Sequence, residues 1–407
     1  LLTLAAAINA AGGFSQTNAG GTTNLGGNIT TVNTPIAFMG AVTQTANSEL
    51  RAGTGEIAIN AAFDTAGFNL TLASRDIDIN AALSGGDGTN TLTLEPDADA
   101  TPIEIGNGTS MGAGALLLSA TDIGNIADGF GAIEIGIATT GAHDIEIGGA
   151  GFTDPLTLRS PLGSFTVLAN RTLSGTDDAS ITFNGSHATL TLNNGSRITT
   201  AGTNIDIDDD ILLADGAGDS GMNADIPLIS TGAMGGNIRI DGSIRGTDIA
   251  SGMVERLRVE AGTGSLTVGD VLNANGTQTN IFGALMGMTE VASDQGLIDF
   301  GIVSASTVTL EGVNIAGLLE SEAALTGAFT ANESVLAQAI TLAGTTFDFL
   351  DGFEATNNGG GTAAFTNSGL VSTTEGEADG DITTTGNLTA TTLDAGGSIA
   401  VGGNLDL

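Results

Sequence analysis

The chemistry this chain could do rests mainly on carboxylates. The run "IDIDDDILLADGAGD" places Asp206, Asp208, Asp209, Asp210, Asp215 and Asp219 within 14 residues. Oxygen-rich clusters suit calcium, which takes about six to eight hard ligands. The run is not an EF-hand loop: Ile211 stands where glycine is needed and no glutamate closes the motif. A second stretch, "GGDGTNTLT" at Gly85–Thr93, resembles the calcium nonapeptide Gly-Gly-x-Gly-x-Asp-x-apolar-x. It occurs once, and Asn90 replaces the aspartate. Asp206, Asp208, Asp210, Asp87 and Asn90 are therefore the calcium candidates, with plain solvated acid as the alternative. No cofactor is otherwise required.

Catalysis finds less support. The two histidines, His143 and His187, sit beside strands in "GAHDIEIGG" and "NGSHATL". They read as surface or corner residues. All nine basic residues are Arg, so lyase chemistry would need an arginine base. Arg239 and Arg258 fall one expected coil apart, with Asp241 and Glu260 beside them, and read as a surface charge ladder. No enzyme activity is expected; the alternatives to a purely structural role are an adhesin that binds its ligand through insertion loops and, behind it, a polysaccharide-active β-helix enzyme.

Elements must position these groups, and composition limits which. The net charge of −37 over 407 residues disfavours nucleic acid and anionic lipid, both of which need a cationic surface. No apolar run is long enough for a membrane-spanning helix. Cys, Trp and Tyr are absent, yet 41% of residues are hydrophobic, so aliphatics and Phe must build the core. The 63 glycines, with Asn, Asp, Thr and Ser, mark turns throughout. "LLTLAAAINAAGG" and "GGNLDL", at the two ends, both look like the middle of a repeat. The chain reads as a segment of something longer.

The repeat is apolar-x-apolar. It runs through Ile57-Ala58-Ile59, Leu70-Thr71-Leu72, Ile77-Asp78-Ile79, Leu92-Thr93-Leu94 and many later copies. Period two is the strand signal, with outer residues inward and the middle residue toward solvent. Ile57 to Ile77 is 20 residues, Leu70 to Leu92 is 22, Ile145 to Phe165 is 20 and Ile238 to Leu257 is 19. Such spacing predicts an all-β fold: one continuous parallel β-helix (β-solenoid) over 1–407, right-handed, with about 20 residues per coil. Stacked at about 4.8 Å, roughly 18–20 coils make a rod of about 90 Å. "EIAINAAF" and "DIDINAAL" then belong to successive coils, with Asn60 and Asn80 stacked. Gly-Gly-Asn recurs before Ile29, Ile238 and Leu405. It reads as corner chemistry, since Gly and Asn tolerate positive φ. Residues 208–231 and 318–343 lack clean alternation and read as insertions. "NESVLAQAITLAG", with Asn332 as cap, suggests a short helix there, and "NNGGG" at 357–361 a loop.

"GNLTATTLDAGGSIAVGGNLDL", "GFNLTLASRDIDINAAL" and "ERLRVEAGTGSLTV" resemble the shafts of filamentous-haemagglutinin-like adhesins and related giant β-strand-repeat surface proteins of bacteria. The likeness is one of cadence, and the Asn-Pro-Asn signature of that family's secretion domain is absent. It implies an extracellular or cell-surface fibre serving adhesion, biofilm or matrix. The expected partners are further copies of the chain, end to end or laterally, and host or matrix glycan or protein.

Overall fold

The computed structural model describes residues 1–108, 111–112, 114–214, 225–247, 254–272, 297–315, 317–356 and 361–407. Among them the chain is all-β, with one short helix, Ala120–Gly124. It falls into two compact units, Leu1–Leu190 with Ile198–Asp209, and Thr191–Arg197 with Asp210–Leu407.

In the first unit, strands pair in parallel with strands one short interval along the chain. Leu50 lies opposite Leu72, Ile57 opposite Ile77 and Ile59 opposite Ile79. One ladder continues through Leu70↔Leu92, Leu92↔Ile133, Ile133↔Leu156, Leu156↔Ile181 and Ile181↔Ile205. A second ladder aligns Ile103, Ile145 and Phe165. A third carries Thr22–Leu25, Ala41–Gln44, Phe63–Asp64 and Leu83–Ser84. The strand Ser48–Ile59 links two ladders, pairing with Ile29–Thr31 at one end and Ile36–Phe38 at the other. It turns a corner midway. Gly53 has φ +60 there, and a Cβ on it would collide with the Asn33 side chain.

Alternation decides burial. Ile57, Ile59, Leu70, Leu72, Ile77, Ile79, Leu92 and Leu94 are fully buried, whereas Thr71 and Asp78 are only partly covered. Each such aliphatic side chain contributes about 1.5–3 kcal/mol on burial, and stacking makes the contribution continuous. Asn80 Nδ2 donates to Asn60 Oδ1 at 3.1 Å, so the two asparagines do stack.

The second unit repeats the scheme with aromatics. Val308, Phe329, Phe347, Val371, Leu388 and Leu405 lie in one register. Val335 and Phe353 lie in another, and Leu319, Ile340, Ala363, Ile382 and Ile399 in a third. Phe329, Phe347, Phe349, Phe353 and Phe365 form a cluster with ring centroids 5.2–6.1 Å apart. Parallel sheets of many strands, with inward aliphatics in register, fit a β-solenoid in both units.

Three sequence readings need correction. Residues 318–343 are not an insertion, because Leu318–Ser321, Ala328–Ala331, Val335–Ala337 and Ala339–Gly344 all pair in ladders. The expected helix is two of these strands. Val335, Ile340 and Leu342 are needed in the core, and this burial overrides the local helix preference. Arg239 and Arg258 do not stack: Arg239 lies opposite Thr267, while Arg258 lies opposite Leu228 in another ladder. The 19-residue step from Ile238 to Leu257 crosses faces, and the true partner of Ile238 is Leu266. Of 208–231, the described ends carry strands Asp210–Leu213 and Leu228–Ser230, while 215–224 lie outside the described residues. So do 357–360 of the expected loop.

The real interruption lies elsewhere. Leu116–Leu118 slots between Ile103–Ile105 and the end of Leu70–Ile79, so sheet order departs from chain order. Ser119 and Asp122 then close a capping box on the helix Ala120–Gly124. Asp122 Oδ1 accepts from Ile79 N at 2.8 Å, and Asn125 Nδ2 donates to Ile79 O at 2.6 Å. Side chains here do what the next strand's backbone would do. Asn and Asp favour such local capping, which is why the segment leaves the ladder.

Candidate metal centre

The corners are built by short polar side chains. Where the chain enters a strand, an Asn or Asp accepts a backbone N–H from the next rung. Asn28 Oδ1 takes Glu49 N, Asn47 Oδ1 takes Asn69 N, and Asn69 Oδ1 takes Thr91 N, each at 2.9 Å. In the second unit Asn237 takes Ser265 N at 3.0 Å, and Asn387 takes Asn404 N at 2.9 Å. This is the task of Asn28 and Asn237 in the Gly-Gly-Asn signature: corners lose ladder bonds, and the side chain restores one.

Two corners bury an aspartate outright. Asp209 is fully buried. Its Oδ1 accepts from Gly185 N and Ala188 N, and its Oδ2 from Gly185 N, all at 3.0 Å. Burial pushes its pKa up to about 6 despite those N–H groups. Asp154 is 1% exposed, and its Oδ1 accepts from Gly129 N and Phe130 N, both at 2.9 Å. Its Oδ2 is closed from solvent and has no hydrogen-bond partner. Burial pushes its pKa up to about 6 too, with the charges of Asp128 and Asp178 adding to it and the N–H groups opposing.

Asp128, Asp154 and Asp178 each offer an oxygen, all within 4.8 Å of one another. They are the group of this kind among the described residues. Asp128 and Asp178 are exposed, and none of the three joins an ion pair among the described residues. Each sits in the turn feeding a strand: Ala132–Ile135, Leu156–Arg159 and Ile181–Asn184, three consecutive rungs of one ladder. Two unit charges about 5 Å apart repel by about 1 kcal/mol in water, and by several times that beside a low-dielectric core. The arrangement can therefore concentrate a hard cation.

The sequence candidates take other places. Asp206 points outward from the strand Ile205–Ile207. Asp208 uses its backbone, donating to Phe183 O and accepting from His187 N, both at 3.1 Å. Asp210 Oδ1 accepts from Ser243 N at 2.7 Å and Ser243 Oγ at 2.9 Å. Asp215 and Asp219 lie outside the described residues. Asp87 closes an exposed turn on Thr89 N and Oγ1, which hold its pKa below the usual carboxylate range. Asn90 turns inward instead, donating to Thr65 Oγ1 at 2.8 Å and Phe68 O at 3.0 Å.

His143 is a corner residue but not a surface one. It is fully buried, with ring nitrogens 3.1 Å from Asp99 O and 2.9 Å from Arg159 O, and so latches a loop to the end of the strand Leu156–Arg159. His187 sits at φ 69 in a turn. Arginines pair locally, Arg75 with Asp97 and Arg159 with Glu134, each at 2.7 Å.

Chain proximity does not bring these three acids together. These are 26 and 24 residues apart. The usable signal was "ADGF", "TDPL" and "TDDA", each placing Asp shortly before a strand of the same ladder. Beside the short helix lies an open groove of about 460 Å³, lined in part by Ile123, Gly149, Arg171 and Ser174. Among the described residues, no helix is long and apolar enough to cross a membrane. No protein-family model, curated protein or solved structure matches the chain.

Proposed function

We propose that the chain is a structural shaft or filament-forming segment of an extracellular bacterial surface or matrix fibre, acting mechanically in adhesion, biofilm or sheath. In this reading the 407 residues form one right-handed β-solenoid of about 20 residues per coil, and carry no enzyme activity. The observation that supports it most is the register. Inward aliphatics and Phe sit on one another rung after rung, as Ile181 on Ile205 and Phe329 on Phe347, while outward positions carry Thr, Glu or Asp. Pulling on such a stack loads many backbone hydrogen bonds and a dry core together. Strong acidity discourages clumping between neighbours. The likeness to haemagglutinin-type shafts is what suggests the cell surface, and self-association end to end or side by side.

The test is electron microscopy of the purified chain, with immunogold labelling of cells that make it. Rods or fibres of constant width, and gold on the surface, are expected. Round particles or cytoplasmic label would overturn the proposal. A second reading, an adhesin that holds a host or matrix glycan or protein, draws on the groove beside the helix. Arg171 there is one of only nine basic residues. Glycan-array binding abolished by Arg171→Ala would favour it.

A further inference from the structure

We propose that Asp128, Asp154 and Asp178 bind one divalent cation of the calcium type, which clamps three successive corner loops of the first unit. The carboxylate oxygens lie within 4.8 Å of one another. Calcium takes about six to eight oxygens at 2.3–2.6 Å in flexible geometry, whereas magnesium demands near-ideal octahedral geometry and gives up its waters reluctantly. Aspartate oxygens are the hard donors this ion takes.

The acids alone would be unremarkable, since exposed carboxylates often gather without an ion. The second observation is Asp154 Oδ2. A carboxylate oxygen that is closed from water and bonded to nothing is costly, and native structures seldom leave one so. Its sister oxygen is held by Gly129 N and Phe130 N, which fixes the carboxylate's orientation. Arginine does not supply the missing charge, because the ion pairs of the described residues all lie on other acids. A cation would occupy the vacant lone pairs and cancel the repulsion in one step.

Location gives the clamp a purpose. Asp128 lies in the segment that rejoins the ladder after the helix Ala120–Gly124. Just there, backbone pairing is replaced by side chains such as Asp122 and Asn125. On the neighbouring face, a new ladder starts with Ala150–Phe152 against Thr172–Gly175. An ion bridging the loops before Ala132, Leu156 and Ile181 ties the interrupted rung to the two regular ones beyond it.

The full 407-residue chain, stripped with chelator and kept in 200 mM NaCl to screen diffuse binding, is titrated with calcium in a calorimeter. A saturable one-ion site is expected, with magnesium binding at least tenfold weaker. Asp128→Asn/Asp178→Asn changes only exposed side chains and should weaken binding at least tenfold. Asp154→Asn should do the same, and Asp206→Asn/Asp208→Asn should leave the isotherm unchanged. Wild type and Asp128→Asn/Asp178→Asn titrating alike, whether both bind or neither does, would overturn the clamp. Equal affinity for magnesium would overturn its calcium character. The clamp does not depend on the shaft reading: round particles in micrographs would leave it standing, and a flat isotherm would leave the shaft standing.

Discussion

The corners at Asp154 and Asp209 are near copies that differ in one oxygen. Both bury an aspartate beside a strand of the same ladder in the first unit, and both hold backbone N–H groups of the preceding rung. Burial pushes both carboxyls up to about 6. At Asp209 both oxygens are used, and the acid is a structural plug. At Asp154 one oxygen is idle, and the carboxylate belongs to a cluster with two further acids. The lesson is that burial of an acid does not mark a site, whereas an unspent lone pair within a cluster of like charge does.

The largest effect separates plug from clamp. Asp209→Ala strands the N–H groups of Gly185 and Ala188, and should cost about 4 kcal/mol whether or not calcium is present. Urea unfolding with and without the ion measures this. A calcium-dependent loss would erase the distinction.

Next comes a buried acid with neither plug nor clamp geometry. Glu354 is 3% exposed, lies opposite Glu377, and has Asp379 and Glu375 near. The residue facing it on its other side, Leu336, carries no charge. Burial, then these three acids, pushes its pKa up to about 7. The folded protein thus holds this proton more tightly than the unfolded chain does. Stability is full below the ordinary glutamate value near 4.5 and falls as pH rises toward about 7. Glu354→Gln should therefore stabilise the second unit by about 2 kcal/mol at pH 8 and by nothing at pH 4. Melting curves at the two pH values check it.

A smaller effect sharpens the pair by sign. Asp154→Asn keeps an acceptor for Gly129 and Phe130 and removes one of the three clustered negative charges. It should stabilise by about 1 kcal/mol in chelator and lose calcium's stabilisation. Asp209→Asn should destabilise in both buffers, because its amide meets only donors. The same sign for both variants in chelator would break the comparison.

The smallest effect is shared. Outward acids face each other across rungs, as Glu56 does Asp76, so raising NaCl from 5 to 500 mM should lift the melting midpoint by a few degrees through screening. An unchanged midpoint would contradict that.

The ladders were legible because apolar alternation reports both the strand and its inward face. Ile57 with Ile77, Leu70 with Leu92 and Ile145 with Phe165 pair as their spacing implies. Residues 318–343 were misread because Ala, Leu and Gln carry helix preference, while their strand identity comes from partners such as Val313 and Phe353. The helix Ala120–Gly124 was hidden because it is short and its capping box, opened by Ser119, is closed by Asp122 rather than by Glu or Gln. The acidic triad was hidden because its members meet only through register, not through chain proximity.

Amide hydrogen exchange reads both corners in one sample. In 200 mM NaCl, adding calcium should slow exchange of Gly129 and Phe130 N–H at least tenfold and leave Gly185 and Ala188 unchanged. Equal slowing at both corners, or none at either, would contradict the clamp at Asp154.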